Sequence, residues 1–445
     1  MGGRVSADAK SSSSAEAHPA GLGAPLDIFP EGISPDELNR YRQQYQEFRA
    51  GRGFGAKGEG FSAVALKRDT SGHLGFQSTE TSEKKLSKVT VLGGGAFGTA
   101  MAVTCARNGH QVTIYARDEE QCRGINTEHK NTKYLGDCLL PDNLVACSNL
   151  TEAIADAEVV FLGLPAQKTP EFLEANKDLF KPNMIMVSTA KGLYLKTKQL
   201  LSDAIIDVMG PTCPPLVLLS GPSFAKEIVD GHPTTVVCAS QKLHHAVAVQ
   251  RLMSSTKFRV FTSQDVIGVE LGGALKNPLA VGAGIIEGLG FGINTMSAYI
   301  TCATRELQML IVAMGGRPET AAGLSGVGDL MLTAFGTLSR NRTCGMRLAK
   351  GESLDEILKG TTIEGVPTAS VAVYFAEMCG LDLPIFRAVS QLILGKVKAH
   401  KAAEELMSLP LTTEFPGLAA TTRPLGSTGT LVSSATSTSV SSMGR

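Results

Sequence analysis

The chain has 445 residues, with 42 basic and 42 acidic side chains and a formal net charge of zero. That length admits two domains with a large buried core, and the balanced charge leaves no electrostatic footprint for nucleic acid or an acidic membrane surface. No apolar run reaches the length of a membrane span, since the most apolar stretch, over 271–286, is interrupted by Lys276 and Asn277.

Nine cysteines are scattered without a Cys-x-x-Cys unit, and no histidines stand near them at metal-ligand spacing. They read as free thiols in a reducing compartment, and no metal site is expected.

In chain order, residues 1–87 come first and differ in texture from the rest, with a serine run at 11–14 and recurrent glycine over 51–60. A disordered extension is expected there, carrying one short amphipathic helix over 35–48 behind Ser34 as N-cap. The start Met1-Gly2-Gly3-Arg4-Val5-Ser6 matches an N-acylation pattern. The segment lacks the apolar core of a secretory signal, and Asp8, Glu16 and Asp27 are unlike an acid-poor transit peptide.

A β-branched run at 89–92 then leads into Gly93-Gly94-Gly95-Ala96-Phe97-Gly98, and an Ala-rich helical pattern follows over 99–108. Strand, glycine turn and helix in that order form the dinucleotide-binding context. Gly93 permits the tight turn, Gly95 lets a pyrophosphate approach the backbone, and Gly98 lets helix pack on strand. Further strands are expected over 111–115, 159–164, 184–188, 216–219, 234–238 and 258–262, with helices such as 150–154 and 197–209 between them. This alternation predicts a Rossmann-type, doubly wound parallel sheet with helices on both faces over 88–265. Strand patterns stop after Asp265, and 266–411 reads as an all-helical C-terminal domain. Residues 412–445 form a Ser/Thr/Gly tail with too few large apolar groups to fold.

Chemistry gathers at the strand ends. Arg117 and Asp118 follow the second strand, where an acid reads the ribose of NAD and an Arg accommodates the extra phosphate of NADP, so the signal is mixed. Leu162-Gly163-Leu164-Pro165-Ala166-Gln167 and Ser188-Thr189-Ala190-Lys191-Gly192 end strands at the edge where open α/β sheets bind ligands, and Lys191 can neutralise a phosphate. In Ser220-Gly221-Pro222-Ser223-Phe224-Ala225, Pro222 and Ser223 can open a helix. Small residues there suit a ligand pressed against backbone N–H groups. Lys276 and Asn277 sit inside a Gly/Ala-lined apolar helix, where desolvation lowers a lysine's pKa and suits it to proton transfer. Asp329 closes Gly326-Val327-Gly328-Asp329, and Ser339-Arg340-Asn341-Arg342 is a donor-rich run fit to grip phosphate.

Taken together, the motifs at 93–100, 219–227, 268–277, 323–329 and 338–343 resemble NAD(P)-dependent glycerol-3-phosphate dehydrogenase, over roughly 88–411. The end of that stretch, 405–410, is similar to the plant-plastid and algal branch. The resemblance implies interconversion of dihydroxyacetone phosphate and sn-glycerol 3-phosphate with NAD or NADP, feeding glycerolipid or glycerol synthesis. It implies that Lys276 is the general acid, with Asp329 beside the reacting centre and Asn277 at the substrate. Lys191 would touch substrate and cofactor, Gly221 and Ser223 the substrate, and Ser339, Arg340 and Asn341 the substrate phosphate. On the cofactor would lie Gly93, Gly95, Ala96, Phe97, Gly98, Arg117, Pro165, Lys191, Ala225, Arg340 and Glu364. A homodimer in the cytosol is expected, with the plastid stroma as the alternative. A β-hydroxyacid-type dehydrogenase shares the layout but has no need of the phosphate-gripping run, and a cofactor-binding regulator has no need of a proton donor. Two departures from the family pattern are Pro278, which should bend the helix beside Lys276, and Ile293, where Asp or Asn is expected.

Overall fold

The computed structural model describes residues 86–411, 413 and 414, and a separate antiparallel pair of two-residue strands, Lys67–Arg68 and Leu74–Gly75. The expected helix over 35–48, the acylation start and the tail beyond 414 lie outside the described residues.

An eight-stranded sheet forms the first half: β1 (Lys88–Leu92), β2 (Gln111–Tyr115), β3 (Leu144–Cys147), β4 (Val159–Leu162), β5 (Ile185–Ser188), β6 (Leu216–Ser220), β7 (Thr234–Ala239) and β8 (Phe258–Ser263). Their spatial order is β8-β7-β6-β5-β4-β1-β2-β3. The order reverses between β1 and β4, which leaves a crevice at their carboxyl ends where open α/β sheets bind ligands. Side chains alternate across the pleat. Val89 and Val91 face one core with Val103, Ile114 and Ile125, while Leu92 faces another with Val160, Leu173, Met186 and Ile205.

Two features depart from the sequence expectation. The sheet is not wholly parallel: β7 pairs antiparallel with β6, and β8 follows β7. Between Ser220 and Thr234 there is only the five-residue helix Ala225–Val229, too short to carry the chain back along the sheet for a parallel return. The second is β3, which pairs with β2 but whose four residues between turn-formers give too short a pattern to stand out.

Among the described residues the strands end with Ser263, and helices occupy 266–407. Their axis is the central helix, Val266–Gly288, every residue of which from Gly268 to Ile285 is buried. A helix apolar on all sides belongs inside a core, and here Leu271, Leu275 and Leu279 pack with Leu307, Phe375 and Phe386. The helix runs through Pro278 without a break. Helix Arg340–Ala349 crosses it with almost no side chain between them: a Cβ on Gly284 would meet Arg342 O at 2.0 Å, and one on Gly345 would meet Val281 O at 2.0 Å.

Candidate active site

The glycine turn adopts the geometry its sequence requires. Gly93 has φ +112°, and a Cβ there would lie 2.5 Å from Gly163 O at the neighbouring end of β4. Gly98 packs so closely that a Cβ would fall 2.1 Å from Gly93 O. By contrast, a Cβ on Gly95 would find nothing within 4 Å. Gly95 is also the N-cap of helix Ala96–Arg107 and offers no side-chain cap. The first N–H groups of that helix therefore face open space with a partial positive charge, which fits the pyrophosphate of a dinucleotide. Ala96 and Phe97 are half-buried beside that opening.

Sequence reasoning missed what holds the turn from beneath. Asn131, buried and 32 residues beyond Thr99, donates through Nδ2 to Gly94 O (2.9 Å) and Thr99 Oγ1 (2.7 Å). Gln121 donates to the same Gly94 carbonyl (2.5 Å). Neither residue belongs to a motif, so the sequence offered no sign of them.

At the end of β2, Asp118 and Arg117 part company. Asp118 caps helix Glu119–Glu128, accepting from the N–H groups of Glu120 and Gln121, and it pairs with Lys133 at 3.2 Å. The bond from Gln121 N–H, then Lys133, hold its carboxyl below the usual range. Arg117 is exposed and makes no salt bridge among the described residues. Pro165 is exposed where β4 leaves the sheet, on the other side of the crevice.

The buried centre lies where the β5 and β6 ends meet the central helix. Asp329, at 0 % exposure, pairs through Oδ1 with Lys276 Nζ (2.9 Å) and through Oδ2 with Lys191 Nζ (2.7 Å). Burial pushes the Asp329 carboxyl up, but the two ammoniums together outweigh it and hold the group ionised, below its ordinary value. Lys276 is 5 % exposed, and burial draws its ammonium down to about 8 against the opposing pull of Asp329.

The two lysines hold different partners. An ammonium has three protons and no acceptor. Lys191 donates to Gly221 O (2.8 Å) and Ser223 Oγ (3.3 Å), and its ion pair with Asp329 Oδ2 (2.7 Å) leaves that buried oxygen without a hydrogen bond. Gly221 turns its carbonyl towards Lys191 with φ +130°, a conformation that needs glycine. Lys276 has only Asp329 Oδ1 and Thr333 Oγ1 (2.5 Å). Thr333, which sequence reasoning did not single out, donates its own proton to Asp329 O (2.7 Å) and so must accept from Lys276.

Ser223 does not open a helix as expected; the helix begins at Ala225 with Phe224 as N-cap. Ser339 caps helix Arg340–Ala349, accepting from Arg342 N–H (3.1 Å). Arg342 is paired with Glu287 on the central helix through two N–H groups, so it anchors the helix rather than facing the cleft. Arg340 is exposed and without a salt bridge among the described residues. Asn341 Nδ2 donates to Asn277 Oδ1 (2.9 Å), which places Arg340 and Lys276 on either side of a bonded asparagine pair. Glu364 lies against the Lys191 turn, since a Cβ on Gly192 would be 3.2 Å from Glu364 Oε2. Burial raises its pKa, partly offset by Arg340. No cluster of metal-ligating side chains occurs among the described residues.

Family models described as NAD-dependent glycerol-3-phosphate dehydrogenase N-terminus and C-terminus match residues 88–246 and 265–404. The chain is 43% identical over 331 residues to a rice protein named "Glycerol-3-phosphate dehydrogenase [NAD(+)], chloroplastic", covering 74% of this chain and 75% of that one. An Arabidopsis thaliana relative, likewise named chloroplastic, shows 43% identity over 74% of this chain and 79% of its own. A Leptospira biflexa protein named "Glycerol-3-phosphate dehydrogenase [NAD(P)+]" is 40% identical, over 74% of this chain and 99% of its own. Among solved structures, glycerol-3-phosphate dehydrogenase from Coxiella burnetii superposes with a TM-score of 0.68 at 30% identity, covering 73% of this chain and 99% of that one.

Proposed function

The chain belongs to the NAD-dependent glycerol-3-phosphate dehydrogenase family, and from that premise we propose that Lys276 exchanges the proton with the substrate's carbonyl oxygen. The enzyme interconverts dihydroxyacetone phosphate and sn-glycerol 3-phosphate with NAD(P)H. Bound in the cleft, the nicotinamide supplies the hydride. The residues of the chain then have to orient the ketone and manage one proton. The burial of Lys276 in the central helix, at 5 % exposure and with its ammonium drawn down to about 8, is the observation that carries the assignment. Asp329 pairs with both lysines, and Lys191 holds Gly221 and Ser223 in place along the substrate wall.

Ser339 and Arg340, at the mouth of helix Arg340–Ala349, grip the substrate phosphate. Fixing that remote group orients the carbonyl and contributes to the rate through alignment. A non-phosphorylated hydroxyacid would leave this grip unused, which counts against a β-hydroxyacid substrate.

The Lys276 pKa sets the pH dependence. Reduction needs the ammonium, so kcat/KM for dihydroxyacetone phosphate is expected to fall as pH rises through about 8. Oxidation needs the free amine, so kcat/KM for glycerol 3-phosphate is expected to rise through the same pH. Profiles measured in both directions test this, and matching slopes would remove Lys276 from the role.

On the cofactor side, Gly93, Gly95, Ala96, Phe97, Gly98, Pro165, Ala225 and Glu364 would lie along the dinucleotide, with Arg117 at the adenosine ribose. Because Asp118 is committed to its cap and to Lys133, it is not free to select against a ribose phosphate. Arg117→Ala is therefore expected to weaken NADPH binding about tenfold or more, the worth of a charge-assisted hydrogen bond, with much less effect on NADH. Fluorescence titration with each cofactor decides it; equal losses would reject the role.

The family resemblance supports a homodimer, and the names of the plant relatives support the plastid over the cytosol. No single described helix is long and apolar enough to cross a membrane.

A further inference from the structure

A chain of hydrogen bonds that proton transfer does not use runs around the cleft through two asparagine side chains. Asn277 Nδ2 donates to Lys191 O (2.9 Å). Asn341 Nδ2 donates to Asn277 Oδ1 (2.9 Å), and Gly365 N–H donates to Asn341 Oδ1 (2.9 Å). Both carboxamides are buried, at 4 % and 9 % exposure. The three bonds join four elements: the loop after β5, the central helix, helix Arg340–Ala349 and helix Gly365–Met378.

The last bond is a helix cap supplied from outside. Glu364, the N-cap of helix Gly365–Met378, makes no side-chain cap, and Asn341 Oδ1 provides the acceptor instead. The seat is tight: a Cβ on Gly365 would fall 2.7 Å from both Asn341 Oδ1 and Asn277 O. The circuit also closes on itself, since the Glu364 carboxylate lies against Gly192, next to the Lys191 carbonyl where the chain of bonds begins.

Asn341 directly follows Ser339 and Arg340, and through Gly365 it fixes the turn that carries Glu364. We propose that Asn341 is a positioning residue that couples occupation of the substrate-phosphate grip to the setting of the Glu364 turn on the cofactor. The inference rests on the roles proposed above for Arg340 and Glu364. Its chemical basis is that a carboxamide donates and accepts at once, as this position requires. An aspartate keeps the cap on Gly365 but turns an acceptor towards the Asn277 oxygen. A side chain that only gripped phosphate would have no reason to hold the second helix.

Linkage makes the coupling measurable: if phosphate compounds tighten the cofactor, the cofactor tightens them by the same factor. NADH is titrated by fluorescence into the full chain with and without saturating glycerol 3-phosphate, a pair that cannot turn over. The wild type is expected to bind NADH severalfold more tightly with glycerol 3-phosphate present, and Asn341→Asp to bring that ratio close to one. As the pH is lowered, the aspartate regains a proton that it can donate to Asn277, and the ratio should recover relative to wild type at the same pH. A merely structural lesion would not return in that way. If Asn341→Asp does not fold, Asn277→Leu removes the adjoining bond and should erase the same ratio.

A wild-type ratio of one, or a variant ratio equal to wild type, overturns the proposal. Arg340→Ala separates the two levels of the argument. If it leaves glycerol 3-phosphate affinity intact, the grip assignment fails; if affinity falls while Asn341→Asp keeps full coupling, only the positioning role fails.

Discussion

Replacing Lys276 with alanine is expected to lower kcat for ketone reduction by roughly 10²- to 10⁴-fold, the usual worth of a positioned general acid. NADH binding should survive, because the dinucleotide meets the glycine turn and the helix behind it, which Lys276 does not touch. The fold should survive as well, since Asp329 keeps Lys191 as a partner at 2.7 Å and no buried charge is left alone. Single-turnover kinetics with a parallel cofactor titration would check the result. Near-wild-type turnover would show that the proton comes from elsewhere, and loss of NADH binding would show that the residue supports the cleft rather than the chemistry.

Asp329→Asn should damage both stability and catalysis, for one electrostatic reason. The carboxylate, itself fully buried, is the anion between two ammoniums. Removing one partner of a buried ion pair typically costs about 3–5 kcal/mol, because the remaining charge is neither paired nor hydrated. Part of that cost is avoided if Lys276 gives up its proton. Its pKa, now about 8 under the opposing effects of burial and Asp329, should then fall. Reduction should slow at neutral pH, with its alkaline limb displaced to lower pH. Thermal unfolding and the pH dependence of kcat/KM provide the two readings. An unchanged melting temperature together with an unshifted limb would mean that Asp329 does not govern the lysine.

Local signals in the chain reach as far as local causes do. The run Val89 to Leu92, followed by glycines at fixed spacing, dictates strand, turn and helix by short-range sterics, and the structure has each of them. Lys276 inside an unbroken apolar helix announces a desolvated ammonium before any coordinates are seen. What could not be read was who meets whom across the fold. Thr333 lies 57 residues from the lysine it holds, and Asn131 lies 37 from the carbonyl it holds. Nothing in periodicity marks such partners. The run at 339–342 looked like one basic cluster, yet Arg342 turns back to Glu287 while Arg340 stays exposed. Antiparallel entry of β7 was hidden for a similar reason, since strand spacing records that a strand exists and not which way it runs.

The crossing at Gly284 and Gly345 makes the enzyme a gauge of molecular length. The two main chains abut there, a Cβ on either glycine meeting the other helix's carbonyl at 2.0 Å. With Arg340 and Lys276 in the roles proposed above, the span from phosphate to ammonium is then set by the scaffold. Trimming or enlarging residues along the pocket wall would not retune the enzyme for a longer phosphorylated ketone; the two rods would have to be laid across each other afresh.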